Sequence, residues 1–301
     1  MSAAVETALP MALSRPQPKA VLELLKPITW FAPMWAFMCG LVSSHESAAH
    51  WWQIGLGVLL CGPLVCGSSQ AVNDWYDRHV DAINEPNRPI PSGRIPGDWG
   101  FRIAVAWTVL SLAIAALLGT WVFVPAVLGM ILAWAYSMPP LRLKRNGWLG
   151  CAAVGACYEG LPWVTGAALM SAAMPDPKVF VAALLYSIGA HGIMTLNDFK
   201  SIEGDRQMGI DSLPAVFGAD IAAEIACLLM AGAQMVMISL LLLWHHPYYA
   251  AGVTLVLVAQ LVLMRKLLAQ PREKAPWYNA TGTTLYVLGM LITAFALQAG
   301  P

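Results

Sequence analysis

Residues 73–81 read Asn-Asp-Trp-Tyr-Asp-Arg-His-Val-Asp and carry three carboxylates, Asp74, Asp77 and Asp81, spaced i, i+3 and i+7. On a helix this spacing places the three side chains on one face, with Asn73 beside Asp77 and Asp81. Carboxylates clustered at the end of an apolar run are costly unless a cation pairs with them. Their oxygens suit Mg²⁺, which in turn indicates a phosphorylated substrate. We call Asn73, Asp74, Asp77 and Asp81 the first acid cluster.

Part of this pattern recurs 124 residues later, as Asn197, Asp198 and Asp205. Ser201 replaces the middle acid, and Glu203 is predicted to compensate for it. We call Asn197, Asp198, Glu203 and Asp205 the second acid cluster. The repeat predicts a duplicated helical unit, with the two clusters facing each other across a bundle and holding Mg²⁺ ions that bridge a diphosphate. The alternative for the second cluster is a solvated loop.

Two groups of basic residues accompany the acids. Arginine forks match phosphate oxygens, so these groups predict a clamp for the diphosphate. The alternative is that they only orient the chain in a membrane, which is our interpretation of Arg102 and Arg145. Arg88 lies in a stiff Asn-Arg-Pro-Ile-Pro-Ser-Gly loop that is suited to hold it over the site. The two groups are Arg78, Arg88 and Arg94, and Arg142, Lys144 and Arg145.

Apolar runs must position these motifs, since a membrane helix needs about 20 apolar residues. The sequence predicts an all-α polytopic membrane protein whose helices surround a central cavity. Residues 1–27 form a polar, cytoplasmic N-terminal segment without the apolar core of a signal peptide, and residues 28–301 form a single membrane domain. Nine spans are predicted, at 28–44, 51–73, 99–118, 121–137, 148–171, 177–197, 216–244, 248–268 and 277–298.

The distribution of Lys and Arg supports this topology. With the N-terminus in the cytoplasm, 16 of the 17 basic residues fall on the inner side, and only Lys178 falls outside. Such asymmetry predicts a cytoplasmic N-terminus and a periplasmic C-terminus. Both acid clusters then lie at the cytoplasmic face, where we expect the active site.

Composition limits the class of protein. Charged residues make up 11% of the 301-residue chain and apolar residues 58%, with a net charge of zero. Soluble domains carry about 25% charged residues, so the chain is predicted to lie in a lipid bilayer, and a nucleic-acid partner is not expected. The six cysteines lie in apolar runs without metal-ligand spacing and are interpreted as buried small residues.

Two polar residues interrupt the apolar runs. Glu159 lies near the middle of the fifth predicted span, where an ionisable residue indicates function. His191 lies in the sixth span, and a lone histidine there is either a satisfied core residue or a ligand of a magnesium porphyrin.

The string from Asn73 to Asp81 resembles the first Mg²⁺–diphosphate motif of the UbiA superfamily of intramembrane prenyltransferases. Tyr136-Ser-Met-Pro-Pro-Leu-Arg-Leu-Lys144 and the second acidic segment are similar to that family as well. The longer strings 73–93 and 197–206 resemble its chlorophyll synthase branch. Many members carry Asp-x-x-x-Asp ending at the position of Asp205; Ser201 departs from that form and puts the second metal's ligands in question.

The resemblance implies a Mg²⁺-dependent transfer of a C20 group from geranylgeranyl or phytyl diphosphate to the propionate carboxylate of bacteriochlorophyllide. It implies a bacterial inner or intracytoplasmic photosynthetic membrane, and association with pigment–protein assembly machinery. The catalytic residues are expected to be Asp74, Asp77, Asp81, Arg88, Tyr136 and Lys144. Diphosphate ligands are expected to be Asn73, Arg78, Arg88, Arg142, Lys144, Asn197 and Arg206. Metal ligands are expected to be Asn73, Asp74, Asp77, Asp81, Asp198, Glu203 and Asp205, and tetrapyrrole contacts Glu159 and His191.

Other functions remain open from the sequence. A related prenyltransferase would act on chlorophyllide, a quinone precursor or haem. A transporter would place its acids near the middle of the membrane rather than at one face. A non-catalytic pigment-binding assembly protein would release no diphosphate.

Overall fold

The computed structural model describes residues 15–46 and 49–300, so the first 14 residues of the predicted polar segment lie outside the described part. Across these described residues the chain is helical, and its only β pairing is an isolated bridge between Asn146 and Asp211. This confirms the all-α prediction.

The first half of the described chain forms eight helices. Two pairs of them join without a break through a π-helical segment, Leu60–Cys66 between the third and fourth helices and Ala156–Gly160 between the seventh and eighth. The helices are α1 (Pro18–Leu24), α2 (Phe31–Val42), α3 (Trp51–Leu59), α4 (Gly67–Asn84), α5 (Trp99–Leu118), α6 (Thr120–Ser137), α7 (Gly147–Gly155) and α8 (Leu161–Ser171).

The second half forms six helices, of which the last three are long. The two short ones lie in the predicted loop after the sixth span. The helices are α9 (Pro177–Asn197), α10 (Ile202–Met208), α11 (Leu213–Phe217), α12 (Ala219–Leu243), α13 (Pro247–Ala269) and α14 (Pro271–Gln298).

Seven helices within residues 15–46 and 49–300 are long and apolar enough to cross a membrane. An eighth candidate is the pair 18–29 and 31–42, which is bent by 56°. The predicted span 148–171 is continuous helix but is not among these candidates. Glu159 and several glycines lower its hydropathy. The structure thus supports seven or eight spans, and the count of nine and the orientation stay predictions.

The two π-helical segments each bring a side chain to one internal cavity. Pro63 lies in the first and lacks the backbone N–H that a regular α-helix requires, which favours a local widening. The second contains Tyr158 and Glu159. These widened turns direct Cys66 and Tyr158 into the same internal space.

Close helix packing sets the position of the acid-bearing helices. Gly192 of α9 lies against the backbone of Ala226 in α12, where an added Cβ would come 2.4 Å from the carbonyl oxygen. Small residues at such contacts let membrane helices approach closely. On the other side, α1 packs with its buried Ala20 and Leu24 against α4. The N-terminal segment is therefore attached to the helix that carries the first acid cluster.

Candidate active site

The first acid cluster lies on one face of α4, as its spacing predicts, and cations from distant segments hold it. The Asp74 carboxylate, 2% exposed, accepts a 2.7 Å hydrogen bond from the Lys26 ammonium. Arg88 donates to Asp81 at 2.9 Å and to Asp74 at 3.4 Å. Arg88 also pairs with Glu85 at the end of α4. The buried Asp74 and Asp81 are therefore each compensated by a positive charge.

Asp77 faces a different set of partners. Lys144 donates to both of its carboxylate oxygens, and Arg142 lies 3.4 Å from one of them. The Asn73 amide donates to Asp77 and to the Ser137 hydroxyl, each at 3.1 Å. Asp77 thus joins α4 to the loop that follows α6.

Backbone pairing fixes that loop. Gly147 N–H donates to the Asp211 carbonyl, and Asp211 N–H donates to the Arg145 carbonyl, both at 2.8 Å. A Cβ on Gly147 would lie 2.7 Å from the Leu213 nitrogen, so only glycine fits this contact. The pairing positions Lys144 between the two acid clusters.

Asp198 and Asp205 of the second acid cluster have hydroxyl and thiol partners instead of cations. Asp205 accepts hydrogen bonds from Ser212 at 2.6 Å and from Ser201 at 3.0 Å. Asp198 lies 3.7 Å from the Cys151 sulfur. Neither acid forms an ion pair within the described residues. Ser201, which replaces the expected acid, therefore orients Asp205 rather than adding a charge.

One polar cavity of about 220 Å³ is lined by Asn73 and Asp77 of the first acid cluster and by Asp198 and Asp205 of the second, whereas Asp74 and Asp81 do not line it. Asp77 reaches it from α4, Asp198 and Asp205 reach it from the segment that follows α9, and Lys144, which pairs with Asp77, also lines it. The facing arrangement that the sequence repeat predicts is present. The lining residues are Asn73, Asp77, Tyr136, Lys144, Gly147, Gly150, Cys151, Val154, Met194, Asp198, Ser201, Asp205, Ile210 and Ser212.

An apolar cavity of about 190 Å³ adjoins the polar one and shares Asn73, Tyr136, Val154 and Met194 with it. Its remaining walls come from α4, α6, α7 and the two π-helical segments. The polar atoms it contains satisfy one another, because Gln70 donates to the Tyr158 hydroxyl at 3.2 Å. A polar pocket that continues into an apolar one suits a molecule with a charged head and a hydrocarbon tail.

Charge and burial shape the basic side of the site. Burial lowers the pKa of the Lys144 ammonium, and the neighbouring Asp77 carboxylate opposes this effect. Burial also acts to lower the pKa of Arg88, but its hydrogen bond with Glu85 and the charges of Asp74 and Asp81 outweigh burial and raise it. Arg88 is therefore a permanent cation beside the first cluster.

The donor set fits Mg²⁺ in one specific way. In the described part of the chain, no three His, Cys, Asp or Glu side chains are close enough to cage a metal. Mg²⁺ usually takes one or two carboxylates and completes its shell with water and phosphate oxygens, so a cage is not required. Asp77, Asp198 and Asp205 offer such carboxylates around one cavity, and the buried Asp74 Oδ2 has no hydrogen-bond partner.

Several sequence-predicted residues lie elsewhere. Arg78 stacks 4.0 Å over the Trp75 ring, away from the cavity. Glu203 is exposed and pairs with Arg272, and Arg206 donates to a backbone carbonyl on α11. The structure does not bring these three predicted ligands to the polar cavity, because Arg78 folds back on Trp75 of its own helix, and Glu203 and Arg206 leave α10 toward other partners.

The two predicted tetrapyrrole contacts, His191 and Glu159, lie in different surroundings. The His191 ring hydrogen-bonds the Trp148 carbonyl at 3.2 Å and packs on the Trp148 ring, as a satisfied core residue does. Glu159 is buried and lines a further cavity. Asn197 lines that cavity rather than the polar one, although Asp198 beside it faces the polar cavity.

Sequence reasoning missed three partners of the acids. Lys26 was counted only as a basic residue that sets orientation, yet it pairs with Asp74. Ser212 and Cys151 had no motif to single them out. The nearest signal in the sequence is Pro27, because a proline directly after Lys26 predicts that α1 has ended and that the chain turns there.

Comparison with protein families, relatives and solved structures identifies the family and the fold. The model of the UbiA prenyltransferase family matches residues 33–297. The bacteriochlorophyll synthase 33 kDa chain of Cereibacter sphaeroides is 58% identical over 286 residues, 95% of each chain. The protein of the same name from Rhodobacter capsulatus is 55% identical over 96% of each chain. A UbiA homolog from Archaeoglobus fulgidus, solved bound to DMAPP and Mg²⁺, shares the fold with a TM-score of 0.74 at 20% identity, covering 93% of this chain and 99% of that one.

Proposed function

Because the chain belongs to the UbiA prenyltransferase family, we propose that it transfers a C20 prenyl group, geranylgeranyl or phytyl, from its diphosphate to the propionate carboxylate of bacteriochlorophyllide. The observation that carries this proposal is the polar cavity lined by residues of both acid clusters, which continues into an apolar cavity. Identities of 55–58% to proteins named bacteriochlorophyll synthase support the pigment as acceptor.

The diphosphate would lie in the polar cavity. Lys144 and Arg142 supply donors to its oxygens, and Arg88 and Lys26 lie behind the first cluster to balance its charge. Mg²⁺ would be held by Asn73, Asp74, Asp77 and Asp81 and by Asp198 and Asp205. When bound, the metal supplies charge neutralisation that makes diphosphate a better leaving group.

The reaction replaces one C1–O bond of the prenyl group with another. The C1–O bond of the prenyl diphosphate breaks, and its electron pair leaves with the diphosphate. A carboxylate oxygen of the acceptor then forms the new bond to C1. The acceptor is already anionic near pH 7, since a carboxylic acid has a reference pKa near 4. No protein base has to remove a proton.

The apolar cavity would hold the prenyl chain and keep water from the electron-poor C1, because water would yield the free alcohol. Tyr136 lines both cavities, so its ring would face C1 and stabilise positive charge there. Trp75 and Tyr76, the two aromatic residues within the first acidic motif, instead pack with Phe101 and Trp134 outside the cavities. Only Tyr136 therefore keeps this role in the proposal.

The proposal includes the membrane topology. Residues 28–301 would form one prenyltransferase domain with nine spans, a cytoplasmic N-terminus and a periplasmic C-terminus. The continuous helix 147–171 would be the span that hydropathy alone does not identify. The acid clusters would then face the cytoplasm in a bacterial inner or photosynthetic membrane, next to the machinery that assembles pigment with protein.

The test is turnover of the purified full chain. Bacteriochlorophyllide and chlorophyllide are each paired with geranylgeranyl and phytyl diphosphate, and both prenyl ester and released diphosphate are measured. We expect ester from bacteriochlorophyllide, loss of turnover in EDTA, and recovery with added Mg²⁺. Full activity in EDTA contradicts the metal assignment. Preference for a quinone precursor or haem identifies a different acceptor, and pigment binding without diphosphate release identifies a non-catalytic protein.

A further inference from the structure

A third cavity, of about 360 Å³, lies between α2, the π-helical segment 156–160, α9 and α14; we call it the side cavity. It shares Tyr158 and Met194 with the apolar cavity, and Met194 with the polar cavity as well. Apolar side chains such as Phe31 and Ile193 form much of its wall. All three cavities therefore meet at Met194.

Unsatisfied polar atoms are concentrated in the side cavity. Six buried side-chain atoms in the described chain lack a hydrogen-bond partner, and three of them belong to residues that line this cavity. They are Oε2 of Glu159, Oδ1 of Asn279 and Oγ1 of Thr283. Glu159 is only 4% exposed. A buried polar atom without a partner is energetically unfavourable, so these positions favour a ligand that supplies partners.

The apolar cavity provides the contrast. Its polar residues Gln70, Cys66 and Tyr158 are hydrogen-bonded to one another. A prenyl chain, which has no polar atoms beyond its head, leaves that cavity satisfied but would leave Glu159, Asn279 and Thr283 unpaired. The occupant of the side cavity must therefore be a largely apolar molecule that carries its own hydrogen-bonding groups.

We propose that the side cavity binds one edge of the tetrapyrrole acceptor, with Glu159 and Thr283 donating to its carbonyl oxygens and Asn279 Oδ1 accepting from a water molecule bound at that edge. This inference rests on the proposed function. Asn279 and Thr283 are four residues apart on α14 and so share one helix face. Asn279 also donates to Asn197 at 2.8 Å, which joins α14 to the end of α9.

The position of Asn197 explains how the acceptor reaches the reacting carbon. Asn197 lines the side cavity, and the next residue, Asp198, lines the polar cavity. A macrocycle held at Glu159 and Thr283 would direct its propionate past Asn197 and Met194 toward the diphosphate. Glu159, Asn279 and Thr283 thereby become residues that select the acceptor and do not contact the prenyl donor.

The test separates acceptor binding from turnover. Pigment binding is measured from the absorption change of bacteriochlorophyllide on the purified protein without prenyl diphosphate, and KM is measured for both substrates. The double variant Glu159→Leu/Thr283→Val should weaken pigment binding about 30-fold and raise the acceptor KM to match, with the KM for prenyl diphosphate unchanged. Glu159→Gln, which keeps a donor, should stay within about threefold of the unsubstituted protein.

Thr281→Val is the matched control, because the Thr281 hydroxyl donates to its own helix and does not line the cavity. It should bind pigment normally. The near-isosteric Thr283→Val alone, with about a fivefold loss, decides the question if the double variant does not insert. Normal pigment binding by the Thr283 variants overturns the inference, as does an equal rise in both KM values. If the unsubstituted protein makes no ester, the proposed function fails, while the binding measurement still judges the side cavity.

Discussion

The two acid clusters share an Asn-Asp sequence and face one cavity, yet their surroundings differ. Lys26, Arg88 and Lys144 compensate the carboxylates on α4. On the opposite wall, Asp205 is held by the hydroxyls of Ser201 and Ser212, and no ion pair compensates it among the described residues. The acids on one wall are thus paired with protein cations, and Asp198 and Asp205 on the other have no ion-pair partner in the described chain.

This difference indicates that the two walls of the cavity have different roles in binding metal and diphosphate. Cations beside the first cluster can donate to phosphate oxygens, so that wall both binds metal and grips the diphosphate. The second wall offers carboxylates already oriented by neutral donors and has no cation to give. We therefore expect the second wall to depend more strongly on the Mg²⁺ concentration. Each prediction below tests one side of this contrast.

The largest effect is expected at the cation-compensated wall. Asp74→Ala or Asp81→Ala should lower kcat for prenyl ester formation at least about 10³-fold, because each removes a metal ligand and frees Lys26 or Arg88 to cover the site. The assay is ester formation by purified, membrane-inserted protein at saturating Mg²⁺. Asp98→Asn is the control, since Asp98 pairs with Arg102 at the surface. Near-normal turnover in either alanine variant contradicts the assignment.

At the uncompensated wall, Asp198→Asn or Asp205→Asn should lower turnover about 10²-fold and raise the Mg²⁺ concentration for half-maximal activity about tenfold. Glu203→Gln should change neither value, because Glu203 pairs with Arg272 in solvent. A Mg²⁺ titration of the three variants measures the difference. If Glu203→Gln changes turnover and the Mg²⁺ requirement as much as the aspartate variants do, Glu203 is a metal ligand.

The role of Lys144 between the walls predicts an effect on substrate binding. Lys144→Met should raise the KM for prenyl diphosphate about 10- to 100-fold and leave the acceptor KM unchanged, since one buried donor to phosphate is lost. Arg145→Met is the matched control, because Arg145 is the exposed neighbour in the same loop. Steady-state kinetics with each substrate varied gives both constants. A rise confined to the acceptor KM would place Lys144 at the other substrate.

The smallest effect concerns stability. Lys26→Met should lower the free energy of unfolding by about 1–3 kcal/mol, because the buried Asp74 keeps only the more distant Arg88 as a cation. The exposed Lys19 on α1 gives the control variant Lys19→Met. Thermal unfolding in one detergent compares the two proteins. Equal melting temperatures would mean that Lys26 does not stabilise the first cluster.

Local patterns predicted much of the fold and half of the site. The spacing of the acids placed Asp74, Asp77 and Asp81 on one helix face, and the repeat brought Asp198 and Asp205 to the opposite wall. The family resemblance is confirmed by the match over residues 33–297. Arg78 and Glu203 were assigned by proximity along the chain, and that reasoning fails where the side chain leaves its helix on a face other than the one that carries the acids.

The sequence by itself determined that this is a helical membrane protein with two acidic segments that repeat each other. Hydrophobic runs and residue spacing are properties of a single helix, so they can be recognised without knowing how the helices pack. Only the tertiary structure decided which groups pair with those acids. Lys26 pairs with Asp74, which lies 48 residues further along the chain. Backbone hydrogen bonds with Asp211 fix the loop that carries Lys144. The tertiary structure also left Glu159 and Thr283 unpaired in a cavity that no motif marks. Contacts between distant segments depend on how helices cross and where loops close, and no local pattern encodes that geometry.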